Sequence, residues 1–297
     1  MKIFDCFQFF DENMMLDLRL NILKDSVDKF VIVENAYMHS GLKKKPVFDI
    51  KNFSKFKDKI IYIVVDQPPP DLLELNDNEN QKSKESKLIL NGYKRDNYQR
   101  EMATTALKNI DDNDWVIIND IDEIPNLENV DFNKVKNKLV IFKQEMFYYK
   151  FNLLYASTHW YGSKACKKTN FISPQWLRNA RHRKYPFWRL DTIFSKRKYN
   201  DILIINNGGW HFTNIKSPED IEKKLLNYTH HYEYEQSGLK LSDIKNMVNT
   251  RRVIYDHSID QRGYKWKGDK SLKKVSLSEM PNYLSENYKK YSDWLEI

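Results

Sequence analysis

The sequence predicts an α/β protein: a Rossmann-like, mostly parallel sheet flanked by helices, begun by residues 1–125. Three observations predict it. Short runs such as KFVIVE and KIIYIVVD are apolar at successive positions, as strands are when helices cover both faces of a parallel sheet. Segments of helical period separate those runs. Finally, Trp115 to Pro125 reads WVIINDIDEIP, an apolar run that ends in acids at the place where open α/β sheets bind ligands.

Taken in order, Lys2 to Phe10 is a strand. Met14 to Lys24 sets Met15, Leu18 and Ile22 at i, i+3 and i+7, the spacing of an amphipathic helix. Lys29 to Glu34 and Lys59 to Asp66 are the second and third strands. Gln67 to Asn91 opens on three prolines and continues through NDNENQKSKESK; its polarity predicts a long surface loop. Gly92 precedes a helix from Tyr93 to Asn109, and Trp115 to Asn119 is the fourth strand, stopped by Pro125. Leu139 to Leu154 is aromatic and strand-like. Ile202 to Ile205 is a strand leading into Gly208-Gly209-Trp210-His211-Phe212. Ser217-Pro218-Glu219 reads as an N-cap followed by a first-turn proline, for a helix through Asn227. The tail, Met280 to Ile297, reads as an amphipathic helix.

With 297 residues, 41% of them hydrophobic, the chain can bury one large core. Lys and Arg number 49 against 41 Asp and Glu, a net +8, which suits an anionic partner: a nucleotide diphosphate, an acidic glycan, nucleic acid or a membrane surface. Two cysteines, Cys6 and Cys166, make no disulfide framework, and Cys6 fits a strand as a small core residue. Lys2, Asp5, Asp11 and Glu12 interrupt any secretory apolar region. No apolar run reaches membrane-spanning length, so a cytoplasmic protein without a membrane span is expected. P-loop, zinc and nucleophile-elbow patterns are missing.

Asp120 and Asp122 stand at i and i+2, and face the same way if the strand continues. Side by side they repel unless a cation lies between them, and Mn²⁺ or Mg²⁺ takes such oxygen ligands while leaving positions for phosphates. Glu34 ends the second strand on the same side. Arg95, in the first turns of the helix that feeds the fourth strand, is placed to meet an anion there. His211, after two glycines, supplies an imidazole suited to Mn²⁺. The aromatics Trp160, Tyr161, Trp176, Trp188 and Trp210 are divided between core and sugar-stacking platforms. The cluster Arg178, Arg181, His182, Arg183 and Lys184 either holds phosphates or an acidic acceptor, or is a solvated face.

The segments FDCFQFFDENMMLDLRL (Phe4 to Leu20), KFVIVENAYMHSG (Lys29 to Gly41), KIIYIVVD, NYQREM (Asn97 to Met102), VIINDIDEIP, GGWHF and MPNYLSEN run nearly end to end. In that order they resemble glycosyltransferase family 17, the family of the β-1,4-mannosyl-glycoprotein β-1,4-N-acetylglucosaminyltransferase. The resemblance implies one GT-A-type domain over residues 1–297. Residues 1–125 would hold the nucleotide sugar, and 126–297, with C-terminal helices, the acceptor. It implies metal-dependent, inverting transfer from UDP-N-acetylglucosamine (UDP-GlcNAc) to a glycan acceptor in β linkage, and no nucleic-acid partner. Asp122, with Asp120 directly or through water, and His211 would hold the Mn²⁺ or Mg²⁺. Glu34, Arg95, Asp120, Ile121 and Asp122 would line the donor, and Trp188 and Trp210 the acceptor. The catalytic base should fall between the acidic pair and His211, where Asp191 and Glu145 fit; pairing with Arg189 is the alternative for Asp191. Animal members of the family carry a Golgi anchor and stem that this sequence does not show, so their N-glycan acceptor is not carried over.

Two other readings stand beside this one. A nucleotidyltransferase acting on sugar phosphates would need a Gly-rich phosphate loop near the first strand, and FDCFQFF has none. A non-catalytic, basic glycan-binding protein would not need Asp120 and Asp122 together.

Overall fold

The computed structural model describes residues 1–227, 231–259, 264–266 and 268–296, leaving aside the side chains of 193, 227, 231 and 232. β1 (Ile3–Phe9) leads through α1 (Asn13–Leu23) to β2 (Lys29–Asn35) and β3 (Ile60–Val65). The chain then runs through α2 (Gln81–Glu101) and α3 (Thr104–Leu107) into β4 (Trp115–Asp120). β3, β2, β1 and β4 lie side by side and parallel. Their alternation explains the continuous apolar runs. On β4, Trp115 and Ile117 enter one core with Phe7 and Phe30. Val116 and Ile118 enter a second core on the opposite face, with Phe4, Cys6 and Val31. Each such fully buried aliphatic or aromatic side chain contributes about 1.5–3 kcal/mol. The four expected strands are therefore present.

The stretch expected to be a loop is corrected. α2 begins at Gln81, twelve positions before Tyr93, and only residues 66–80 form the connection. Asn80 caps the helix by accepting from the Ser83 amide at 2.8 Å. QKSKESK is polar but made of good helix formers, with Gln81 donating to Glu85 at 3.0 Å across one turn. Polarity there marked a solvent-facing helix rather than irregular chain. Asn91 ties the connection down, bonding both the amide and the carbonyl of Leu73 at 2.8 Å.

After β4 the chain changes sheets. β5 (Glu123–Pro125) follows at once, then β6 (Leu139–Phe142), β7 (Gln144–Tyr148), β8 (Leu153–Trp160) and β9 (Lys164–Lys167). α4 (Pro174–Arg178) and α5 (Asp191–Phe194) precede β10 (Ile202–Ile205) and β11 (Gly209–Thr213). α6 (Pro218–Asn227), α7 (His231–Ser237), α8 (Leu241–Asn249), β12 (Lys273–Lys274) and α9 (Asn282–Glu286) complete the order. β9, antiparallel, pairs with β4 and β6, and β10 is parallel to β6, so the first sheet reads β10-β6-β9-β4-β1-β2-β3. The result is a mostly parallel sheet flanked by helices, drawn from both sides of residue 125. A second sheet, β12-β8-β7-β11-β5, packs beside it.

The helix from Pro218 is capped as expected, Ser217 Oγ accepting from the Asp220 amide at 3.2 Å. The tail differs from one long helix: α9 ends at Glu286, and 3₁₀ turns occupy Tyr288–Trp294 with Tyr291 outside helical geometry. Ile297 of that expectation lies outside the described residues. Among the described residues, no helix is long and apolar enough to cross a membrane.

Candidate active site

The site forms where β4 hands the chain to β5. The strand does not continue through the acidic run: Asp120 ends β4, Ile121 and Asp122 turn, and Glu123 opens β5 in the other sheet. Asp120 and Asp122 therefore lie on different elements of the turn and take different partners, Asp120 two arginines and Asp122 a histidine. Arg19 holds the turn. It is fully buried on α1, among Met15, Leu16, Leu18, Leu20 and Leu23. Its guanidinium grips Asp5 at 2.6 and 2.8 Å, and Nη1 donates to the carbonyls of Asp120, Ile121 and Glu123 at 3.3, 3.3 and 2.6 Å.

A positive group does sit between acids, but it belongs to the protein. Arg178, at the end of α4, donates to Asp120 Oδ2 at 2.6 Å and forks onto both oxygens of Glu123. This member of the sequence's basic cluster is thus an internal counter-charge. Burial pushes the Glu123 carboxyl up, and Arg178 overrides that and holds it below its usual range. From α2, Arg100 reaches Asp120 Oδ1 at 3.2 Å and Asp96 at 3.2 Å. Arg95, expected in that role, instead donates to the His39 carbonyl at 2.9 Å. The displaced helix start is the reason: it puts Arg100, one turn further along, level with the strand end.

Asp122 meets His211. Register aligns His211 on β11 with Glu123 on β5, and the Phe212 amide donates to the Asp122 carbonyl at 2.8 Å. His211 Nε2 then lies 3.7 Å from Asp122 Oδ1. Burial pushes the Asp122 carboxyl up, but the adjoining His211 more than offsets this and holds it at about 2. Trp160 stacks on the His211 ring at 4.8 Å between centroids and donates its indole N–H to Glu123. The two glycines before His211 serve backbone approach to strands, not to a ligand. A Cβ on Gly209, at φ +123°, would come within 2.1 Å of the Ile124 carbonyl oxygen.

These contacts allow a test of the metal expectation. Among the described residues, no three His, Cys, Asp or Glu side chains are gathered as a metal set. Asp120 is taken up by two guanidiniums, which corrects its role as a direct ligand in this arrangement. Asp122 and His211 remain, a carboxylate and an imidazole that suit Mn²⁺ chemically, with His211 Nδ1 buried and lacking a hydrogen-bond partner among the described residues. Arg100 and Arg178 meet Asp96, Asp120 and Glu123, while His39 lies beside Asp96 and His211 beside Asp122.

Asp122 also opens on a cleft of about 240 Å³ with Met15, Ile121, Phe212, Lys216 and Lys224. A second cleft of about 220 Å³ continues it past Phe10 to Lys223, sharing Lys216 and Lys224. Ile121 meets this space only as a packed apolar side chain, 6% exposed. The lysines escaped sequence reading because nothing local distinguishes them from any solvated helix face.

Five other expected residues, Glu34, Glu145, Trp210, Trp188 and Asp191, lie apart from these contacts. Glu34 is a structural tie: Lys44 Nζ and the Val47 amide take one oxygen, and the Phe48 amide and Tyr62 hydroxyl the other. No oxygen of it is left for a donor. Glu145 and Trp210 are neighbours in register on β7 and β11. Alternation puts them on the face opposite His211, in a separate groove of about 790 Å³ with Pro125, Met280 and Tyr283. Trp188 is 66% exposed at the surface. Asp191 is exposed, held by Arg189 at 2.7 Å and Lys198 at 2.6 Å, and these hydrogen bonds keep its carboxyl well below the usual range. Asp191→Asn is accordingly expected to leave kcat within a few-fold of wild type. Loss of a true general base would cost roughly 10²–10⁴-fold, and a fall of that size would restore the role.

Lys164 on β9 gives the site a pH signature. It is buried against Arg178, whose carbonyl it meets, and burial followed by the Arg178 charge holds its ammonium down at about 7. The unfolded chain keeps that proton up to the ordinary 10.5. Between those values the unfolded state binds more protons, so stability rises as pH climbs from about 7 towards 10.5. In Lys164→Met the rise in Tm across that window should flatten; an unchanged slope would assign it to other groups.

Solved structures similar to the chain include "Crystal structure of HddC from Yersinia pseudotuberculosis", 14% identical over 70% of this chain and 92% of that one, TM-score 0.31. The same protein complexed with GMP-PN is 15% identical over 75% and 97%, TM-score 0.32. Scores this low carry no argument about fold or function. A search of the curated proteins gave no match. The family model of glycosyltransferase family 17, however, matches residues 1–295, essentially the whole chain. The chain therefore belongs to glycosyltransferase family 17.

Proposed function

We propose that this glycosyltransferase is metal-dependent, inverting and of GT-A type, and that it transfers N-acetylglucosamine from UDP-GlcNAc to a glycan acceptor in β linkage. The Asp122–His211 pair at the end of β4, 3.7 Å apart beside a lysine-edged cleft, carries the reading. Asp122 and His211 would hold Mn²⁺ or Mg²⁺, which when bound supplies a Lewis acid against the charge developing on departing UDP. Lys216 and Lys224 line the adjoining cleft with Asp11, Glu12 and Asp220; an arriving diphosphate would compete with Asp11, which Lys216 meets at 2.8 Å, for these charge-assisted donors. Arg100 and Arg178 keep Asp120 and Glu123 fixed, so these carboxylates need not reorganise as charge moves. In the transfer the bond from C1 to the UDP oxygen breaks, its electron pair leaving with UDP, a bond from C1 to the acceptor oxygen forms, and the acceptor hydroxyl's proton passes to solvent water.

UDP release from UDP-GlcNAc, with Mn²⁺ and with chelator, tests the proposal. Release should require the metal, and UDP-GlcNAc with Mn²⁺ should raise Tm more than UDP-glucose or a GDP sugar, by mass action on the native state. Metal-independent release, or greater protection by another donor, would overturn the metal or the donor respectively. Pyrophosphate release from a nucleoside triphosphate and a sugar phosphate would favour the nucleotidyltransferase.

A further inference from the structure

Between α4 and β10 the chain exposes apolar side chains that a folded protein ordinarily buries. Phe187 is 90% exposed, Trp188 66%, Leu190 63% and Phe194 88%. They fall within eight positions, on a turn after Pro186 and on the short α5. Cations bracket them. Arg181, Arg183 and Lys184 precede the patch, and Lys196 and Arg197 follow it, all exposed. Between Arg181 and Lys198 the one carboxylate is Asp191, already held by Arg189 and Lys198. The segment is anchored beside the active site, since Trp176 on α4 donates its indole N–H to the Arg197 carbonyl at 2.8 Å.

We propose that this segment docks the enzyme on an anionic lipid bilayer. Phenylalanine, tryptophan and leucine together are what enters the boundary between headgroups and acyl chains. The surrounding lysines and arginines would meet the negative surface of the leaflet. Charge selects this occupant: a second copy of the chain would bring one cationic patch against another. Leu190 has no flat ring on which a nucleic-acid base could stack. The proposal is independent of the donor, the metal and the acceptor.

Co-sedimentation of the full chain with vesicles tests it, using phosphatidylcholine alone or with about 30% phosphatidylglycerol, at about 0.15 M salt. Wild type should pellet with the anionic vesicles and stay in solution with the neutral ones. Phe187→Ser/Phe194→Ser should weaken that binding roughly ten-fold or more through lost apolar insertion, and Lys196→Glu/Arg197→Glu should remove it. Both pairs are at the surface, so Tm should hold, and an unchanged Tm makes the loss one of docking. Wild type left in solution with anionic vesicles, or a serine variant that pellets like wild type, would overturn the proposal. So would a vesicle-free dimer that the serine variant dissolves, or a single-stranded oligonucleotide that strips wild type from vesicles at equal salt.

Discussion

Asp122→Ala is expected to remove transfer, lowering kcat/KM by roughly 10²–10³-fold or more, the effect of deleting a group that stabilises developing charge, with Tm changed by only a few degrees. The carboxylate stands at the mouth of a cleft and packs no core, so its loss should act on chemistry more than on folding. Held at about 2 by His211, it is ionised throughout the range in which the protein would be assayed. Its stabilising share is complete above its ordinary 3.8 and is lost only as pH falls towards 2. An acid limb in the rate above pH about 4 must then come from another group. UDP-release kinetics on wild type and variant, with Mn²⁺ saturating, decide the matter; wild-type activity in the variant would remove the central residue of the proposal.

Arg19→Met should be the most damaging change to stability. Arg19 and Asp5 are both fully buried, and Asn119 also donates to Asp5. Removing one partner of such a pair leaves an uncompensated charge in the core and costs about 3–5 kcal/mol, a large part of the 5–15 kcal/mol that holds a typical domain. Urea denaturation should show that loss in the midpoint, and Arg19→Met/Asp5→Asn should recover part of it because the stranded charge is gone. A loss below about 1 kcal/mol, the scale of a surface ion pair, would show that water reaches the pair. The turn carbonyls of Asp120, Ile121 and Glu123 lose their shared donor too, so residual activity of the folded variant should also fall.

Much of this architecture was legible in the residues. Four apolar runs announced the parallel strands, and Ser217-Pro218 announced its helix. Family resemblance and the whole-chain family match agree. The failures have a common physical origin. Local polarity separates surface from interior, not helix from loop, so the pattern alone starts α2 at Tyr93 and puts Arg95 where Arg100 stands. Strand alternation tells which residues share a face only while the strand lasts; it stopped at Asp120, and the acidic pair parted. Arg178 and Asp120 are brought together by tertiary packing that no short-range pattern encodes. Arg19 did leave a sign: an arginine among Met15, Leu16, Leu18, Leu20 and Leu23 needs a buried acid, and Asp5 on the preceding strand is one.

The strand β9, antiparallel to both its neighbours in the first sheet, has a consequence for how the protein is made. Until Lys164 to Lys167 have been synthesised, β4 has β1 on one side and a bare hydrogen-bonding edge on the other. That edge belongs to a strand buried at every position from Trp115 to Asn119, and such edges recruit other chains. A nascent or truncated product ending near Pro125 should therefore be aggregation-prone, although it contains every parallel neighbour of β4. The same edge makes closure of the sheet a late, non-local event, which slows folding relative to a sheet completed in sequence order.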